Sequence, residues 1–341
     1  MTVETPSKSS IAILRAASLL QAGKLVAIPT ETVYGLAADA KNSAAVKRIF
    51  EVKGRPPSNP LIIHIASLEE VQDFAINVPA IAWDLMDAFW PGPLTIVLEK
   101  HASVPSIVTG NQETVALRVP NHPVALALLE AFGGGLAAPS ANRYGRLSPT
   151  TAQHVKAELG NLVDEILEGG ASSIGIESTI VHVREDSFSI LRPGAITAEV
   201  LETVTGKKQQ QQRNLGITTP GSNVAHYAPR TPLYLIESET ENQEKKDFEK
   251  FIEIVQKFVS QNLKVGVLSF RERPEFLSNE NVEWLEQTMN HERYAQRLYA
   301  QLHTLDHQNL TCILVESPPE TTNWISVRDR LIRASSLLPK D

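Results

Sequence analysis

A chain of 341 residues, 42% hydrophobic and 21% charged, can bury a full core, and its length suits two domains. A formal net charge of −7 excludes a wholly basic nucleic-acid-coating protein, and a single cysteine, Cys312, excludes a disulfide framework or a cysteine-rich metal site. The opening MTVETPSKSS lacks the apolar core of a secretory leader and no run reaches about 18 apolar residues, so a reducing cytoplasm and no membrane span are expected.

In chain order, IAILRAASLLQAG (11–23) predicts a helix closed by Gly23, and LVAIP (25–29) a short buried strand ended by Pro29. Asn42 or Ser43 can cap a helix with Val46, Ile49 and Phe50 on its apolar face, terminated by Gly54. LIIHI (61–65), LTIVLE (94–99) and VALRVP (115–120) read as strands, separated by the helix IAWDLMDAFW (81–90), which Pro91 stops. HPVALALLEAF (122–132) is a helix running to the glycines 133–135, and LAAPSAN (136–142) leaves a strand for a loop. Ser148 and Pro149 predict the cap and first turn of the helix TTAQHVKAEL. STIVHV and FSILRP read as neighbouring strands. Alternating helices and strands predict a layered α/β fold with a mixed sheet.

Residues 203–230 have few apolar anchors, include KKQQQQ, and read as a linker. Beyond them PLYLIE, DFEKFIEIVQKFVSQ, KVGVLSF, ERYAQRLYAQLHTL, TCILVE and a helix near VRDRLIRASS alternate again. KVGVLSF and TCILVE are nearly continuous in apolar residues, as strands covered on both faces are. A second, smaller α/β domain over 231–341 is expected.

Phosphate-binding, dinucleotide, zinc-protease and nucleophile-elbow templates are absent, and the nine histidines show no metal-ligand spacing. Polar residues gather instead where strands end. PTETVYGLAADA (29–40) carries Thr30, Glu31, Thr32 and Tyr34 before Gly35, equally readable as a ligand loop or a threonine-capped turn. KGRPPSNP (53–60) puts Lys53 and Arg55 on a loop stiffened by prolines, which suits a polyphosphate better than a solvated turn. His64 stands alone in an apolar strand, where a core role is the commoner one. Arg118 lies inside a strand, so it needs an anion: a protein carboxylate or the carboxylate of a ligand. Ser140 and Asn142 (APSAN), Ser178 and Thr179 (ESTIV), Arg192 (LRPG), and His226 with Tyr227 (HYAP) complete the set. Three arginines, a lysine and many hydroxyls, without paired carboxylates or a Cys/His nucleophile, make a site for positioning anions.

PTETVYGL, KGRPPSNPLIIHI, WPGPLTIVL, ALRVPNHP, APSAN, IESTIV, ILRPG and HYAP occur in the order seen in YrdC-type threonylcarbamoyl-AMP synthases. The chain resembles the long, two-domain form of that family. The resemblance implies a YrdC-like twisted mixed sheet with helices on its faces, plus a smaller C-terminal Rossmann-like α/β domain. It divides the chain into a catalytic domain (1–202), a linker or lid over the active site (203–230), and the C-terminal domain (231–341). It implies a nucleotidyltransferase that forms L-threonylcarbamoyladenylate and pyrophosphate from L-threonine, bicarbonate and ATP, with Mg²⁺ carried on the ATP and no protein residue assigned to the metal. A downstream tRNA threonylcarbamoyl transferase system would use the product, so tRNA is met indirectly or weakly. Carried over residue by residue, the resemblance assigns threonine to Thr32, His64, Arg118, Ala138 through its backbone, and Ser178. It assigns ATP to Lys53, Arg55, Asn59, Thr114, Ser140, Asn142, Ser148, Arg192 and Tyr227, with Lys53 and Arg55 as the catalytic cations. The SNVA run (222–225) is less basic than is frequent before HYAP in long members, and so offers the phosphates no charge. Two other readings compete: a non-enzymatic RNA-binding module, and a carbamoyl transferase, for which the zinc-finger cysteines are missing.

Overall fold

The computed structural model describes residues 8–210, 216–217, 219, 227–237, 244–277 and 280–337. The chain divides into two compact units, Met1–Tyr144 with Ser148–Ser222, and Gly145–Leu147 with Asn223–Asp341.

In the first unit, α1 (Lys8–Gln21) turns at Gly23 (φ 73°) into β1 (Val26–Ile28). β2 (Gly35–Asp39) then returns antiparallel, with Ile28 opposite Gly35. This strand was not expected from sequence. GLAAD has almost no intrinsic strand preference, and pairing on both sides overrides it. α2 (Ser43–Lys53) starts on Asn42, whose Oδ1 accepts from the amides of Ala44 and Ala45, and ends on Gly54 in the left-handed region. There follow β3 (Ile62–His64), β4 (Ala75–Ile76), α3 (Ala80–Phe89), β5 (Leu94–Lys100), α4 (Ser106–Thr109) and β6 (Thr114–Arg118). The unit continues through α5 (Pro123–Phe132), β7 (Leu136–Ala137), α6 (Ala152–Leu159), β8 (Glu165–Ile166), β9 (Thr179–Arg184), β10 (Ser187–Arg192) and α7 (Ala198–Thr205).

Among the described residues these strands make one mixed sheet, ordered β10-β9-β5-β6-β3-β7-β2-β1-β8, with β4 beside β5. Leu20, Leu128 and Leu129 from α1 and α5 bury Val26, Ile28, Ala37 and Leu136. Leu36, Ile63, Ile96 and Leu117 belong to a second, larger core with Phe50, Leu85 and Met86. Each fully buried side chain of this size contributes roughly 1.5–3 kcal/mol.

The expected cap at Ser148–Pro149 is corrected. α6 begins later, and Thr151 Oγ1 caps it by accepting from His154 N at 3.2 Å. The carbonyls of Pro149 and Thr150 are already taken by the amides of Tyr34 and Ser172, so these residues cannot open a helix.

The second unit holds β11 (Leu233–Ile236), α8 (Glu244–Ser260), β12 (Val265–Ser269), β13 (Val282–Glu286), α9 (His291–Asp306), β14 (Cys312–Glu316) and α10 (Ile325–Ala334). All four strands are parallel, in the order β11-β14-β12-β13. β13, another strand not anticipated, is an edge strand whose VEWLE mixes two glutamates with three apolar residues. The two α/β architectures agree with the fold class expected from sequence.

Candidate active site

The last residue of α2, Lys53, and Arg55 in the loop after it are both nearly buried (3% and 6% exposed). Lys53 Nζ donates to the carbonyls of Ser140 (2.5 Å) and Asn142 (2.6 Å), tying this loop to the one after β7. Burial, reinforced by the charge of Arg55, holds the Lys53 amine well below the usual lysine range. Arg55 Nη2 donates to Pro60 O at 3.0 Å, and its guanidinium stands 5.9 Å from the Tyr144 ring centre. Asn59 Nδ2 donates to Tyr144 Oη at 3.1 Å. Ser140 bridges to Gly35, and Asn142 Nδ2 donates to Arg143 O. Thus Lys53, Arg55, Asn59, Ser140 and Asn142 converge on one cationic corner, where Tyr144 supports both Arg55 and Asn59.

β6 carries Thr114 at its start and Arg118 at its end, about 13 Å apart at the usual rise per residue. Register puts His64 of β3 beside Arg118, while Ala138 N donates to Ile62 O in the same layer. Arg118 is 3% exposed and held on three sides: Nε donates to Gly92 O (3.0 Å), Nη1 donates to Thr32 Oγ1 (2.9 Å), and Nη2 stands 2.6 Å from Glu31 Oε1. A side chain at Gly92 would meet the carbonyl of Phe89, so only glycine presents its own carbonyl to Arg118 in this way. The partner of Arg118 in the protein is therefore a carboxylate, that of Glu31. The two charges are close but not aligned as a hydrogen bond, and both Glu31 oxygens are buried without a hydrogen-bond donor among the described residues. His64 Nδ1 is in the same condition. Burial, with Arg118 beside it, pushes the His64 imidazole down to about 3, so it stays neutral at pH 7.

At the far side of the sheet, Arg192 donates through Nε and Nη2 to Ser178 O (3.1 and 3.0 Å) and through Nη2 to Ser178 Oγ (3.1 Å). Ser178 Oγ also shares a 2.7 Å hydrogen bond with Thr95 Oγ1. Ser148 Oγ donates to the buried Glu177 Oε1 at 2.5 Å. Tyr227 belongs to the second unit, where it is buried with φ 64°, its ring 5.3 Å from the Arg330 guanidinium and 6.1 Å from the Tyr299 ring. His226 and the SNVA run lie outside the described residues, as do Gln211 and Gln212 of the Gln run. No group of three or more His, Cys, Asp or Glu side chains suited to a metal ion occurs among the described residues.

A family model described as Telomere recombination matches residues 18–194, and one described as Threonylcarbamoyl-AMP synthase, C-terminal domain, matches 196–336. Over 328 residues the chain is 40% identical to the threonylcarbamoyl-AMP synthase of Bacillus subtilis (strain 168), covering 95% of this chain and 92% of that one. The chain belongs to the threonylcarbamoyl-AMP synthase family. The synthase of Pyrococcus abyssi is also 40% identical, over 325 residues that cover 94% of this chain and 93% of that one. A crystal structure of P. abyssi Sua5 complexed with L-threonine matches with a TM-score of 0.86 at 39% identity, covering 96% of this chain and 94% of that one. Both family models are present in order, which makes this chain a long, two-domain member of this enzyme family. Among the described residues no helix is long and apolar enough to cross a membrane.

Sequence reasoning missed Glu31 as the partner of Arg118, Glu177 as the partner of Ser148, and Thr95 as the partner of Ser178. Glu31 had a local signal, being an acid in a run that is otherwise uncharged from Val26 to Ala38. Glu177 and Thr95 had none, because their partners are 29 and 83 positions away.

Proposed function

We propose that the chain joins L-threonine, bicarbonate and ATP into threonylcarbamoyl-AMP and pyrophosphate. The amine of threonine and bicarbonate give an N-carbamate and water. A carbamate oxygen then bonds the α-phosphorus of ATP as the bond to pyrophosphate breaks, which makes the enzyme a nucleotidyltransferase. The observation that carries this reading is the presence of two buried polar centres in one unit: a cationic corner at Lys53 and Arg55, and a cluster in which Arg118 stands with Glu31, Thr32 and His64. We assign ATP to Lys53, Arg55, Asn59, Thr114, Ser140, Asn142, Ser148 and Arg192, with Lys53 and Arg55 on its triphosphate, and threonine to Thr32, His64, Arg118, Ala138 and Ser178. Neutralising and orienting phosphates asks for fixed cations rather than a nucleophile, and this is the chemistry that the corner offers. Mg²⁺ would enter on the phosphates of ATP, and a cytoplasmic tRNA-modifying transferase would take the product.

Pyrophosphate release by the purified chain tests the reading, with threonine and bicarbonate omitted in turn. Release that requires both is expected. Lys53→Ala and Arg55→Ala should weaken ATP use, and Arg118→Ala threonine use. Release indifferent to threonine would overturn the reading and bring RNA binding forward.

A further inference from the structure

We propose that Glu31 is the receptor for the α-ammonium group of the substrate, and that Glu31 and Arg118 together form a site for an amino-acid zwitterion. The proposal rests on the threonine reading above and adds to it a residue and a selection rule.

Glu31 sits in the buried loop between β1 and β2 and is 4% exposed. Its backbone carbonyl is used, accepting from Ile174 N at 2.7 Å, so the residue is held in place. Its carboxylate is paired with Arg118 by charge but is not saturated by hydrogen bonds. Neither oxygen has a hydrogen-bond donor among the described residues, although Arg118 Nη2 is only 2.6 Å away. An ion pair that served structure alone would be aligned and saturated, because burying a carboxylate is costly unless its lone pairs are filled. The oxygens therefore need a donor-rich cation. An ammonium group carries three donors and a positive charge. The guanidinium of Arg118, next to it, has the complementary character for a carboxylate.

The adjacency matters. In an α-amino acid the ammonium and the carboxylate hang from the same carbon. A protein site that reads both must place its anion and its cation side by side, as Glu31 and Arg118 are. Thr32 Oγ1, which accepts from Arg118 Nη1, and the neutral His64, paired in register with Arg118, supply uncharged polar groups at the edge of this pair.

The same charge acts again after the first bond is made. The ammonium gives one proton to solvent, and the amine nitrogen bonds the carbon of bicarbonate. The hydroxyl of bicarbonate leaves as water with a second amine proton. An ammonium has become a carbamate anion. Glu31, which attracted the nitrogen, now repels the new group, while the buried cations of the Lys53 and Arg55 loop attract it. Glu31 thus orients the amino acid first and directs the carbamate toward the nucleotide afterwards.

The test is binding of L-threonine and of its analogue with a hydroxyl in place of the α-amine, by titration calorimetry on the full chain. The wild type should bind threonine about tenfold or more tightly than the analogue, the scale of one charge-assisted hydrogen bond. In Glu31→Gln that preference should collapse through loss of threonine affinity, with analogue binding little changed. Glu31→Asp keeps the charge and should keep the preference. A wild type that binds both compounds equally, or a Glu31→Gln variant that keeps the preference, would overturn the role of Glu31 and leave the threonine reading intact. A wild type that binds no threonine would instead overturn that reading. Equal binding of the two compounds by the wild type would overturn the role of Glu31 even if Glu31→Gln does not fold.

Discussion

Lys53 and Ser140 lie 87 positions apart, yet Lys53 Nζ donates to Ser140 O at 2.5 Å. The lysine that the loop sequence offers to phosphate also fastens that loop to the APSAN segment. Burial and the charge of Arg55 hold its amine well below the usual range. A triphosphate would favour the ammonium and raise it again. ATP binding should therefore take up a proton, and affinity should fall as pH rises through the window between the two values. Calorimetry in buffers of different ionisation enthalpy reads this uptake. Lys53→Met should abolish it. Buffer-independent heats in the wild type would contradict the expectation.

Arg192 clasps Ser178 through three hydrogen bonds that a lysine cannot reproduce. Arg192 is assigned to ATP and Ser178 to threonine, so Arg192→Lys should raise KM for both substrates, on the order of tenfold for threonine if one charged hydrogen bond's worth of positioning is lost. Steady-state kinetics with each substrate varied in turn would show it. A change confined to ATP would mean that Ser178 keeps its place without Arg192.

His64 makes a clean prediction for acid stability. Its folded value is pushed down to about 3 from 6.5. Between those values the unfolded chain binds a proton that the folded chain does not, so this contribution to stability rises with pH and is lost as pH falls from 6.5 toward 3. His64→Gln removes it. The stability difference, wild type minus variant, should fall on acidification by up to about 1.4 kcal/mol per pH unit. Urea unfolding at several pH values measures the slope, and parallel pH profiles would show that the imidazole is not buried as described.

Gly194, in the LRPG turn, lies so close to β9 that a Cβ would meet Thr179 N and stand 2.7 Å from Ser178 C. Those atoms are backbone and cannot swing aside. Gly194→Ala should cost about 1–3 kcal/mol as an overpacked contact, and should raise KM for threonine by displacing Ser178. Denaturant midpoints and kinetics together would establish both effects. Unchanged midpoints would show that the turn relaxes freely.

Much of this molecule was settled by short stretches of sequence. The Asn42 cap, the stop at Gly54, the proline-stiffened cationic loop and the alternation of helices with strands are encoded within a few residues of where they act, because caps, turns and periodicity are local physics. That locality is also why the motifs could be placed in order before any contact was known. It failed at β2, whose alanines and glycine carry no strand signal, at β13, and at Ser148–Pro149, where distant amides claimed the carbonyls that a helix would have needed. Only the tertiary structure decided which charges meet. Arg118 reaches Thr32 across 86 positions, with Glu31 beside it, and Ser148 finds Glu177 across 29. Such pairings depend on the register of β3, β6 and β7 and on the path of the buried loop from Thr30 to Tyr34. A buried charge will accept any partner that this geometry brings within reach, so the choice is made by the packing of the whole sheet and not by its neighbours in the chain.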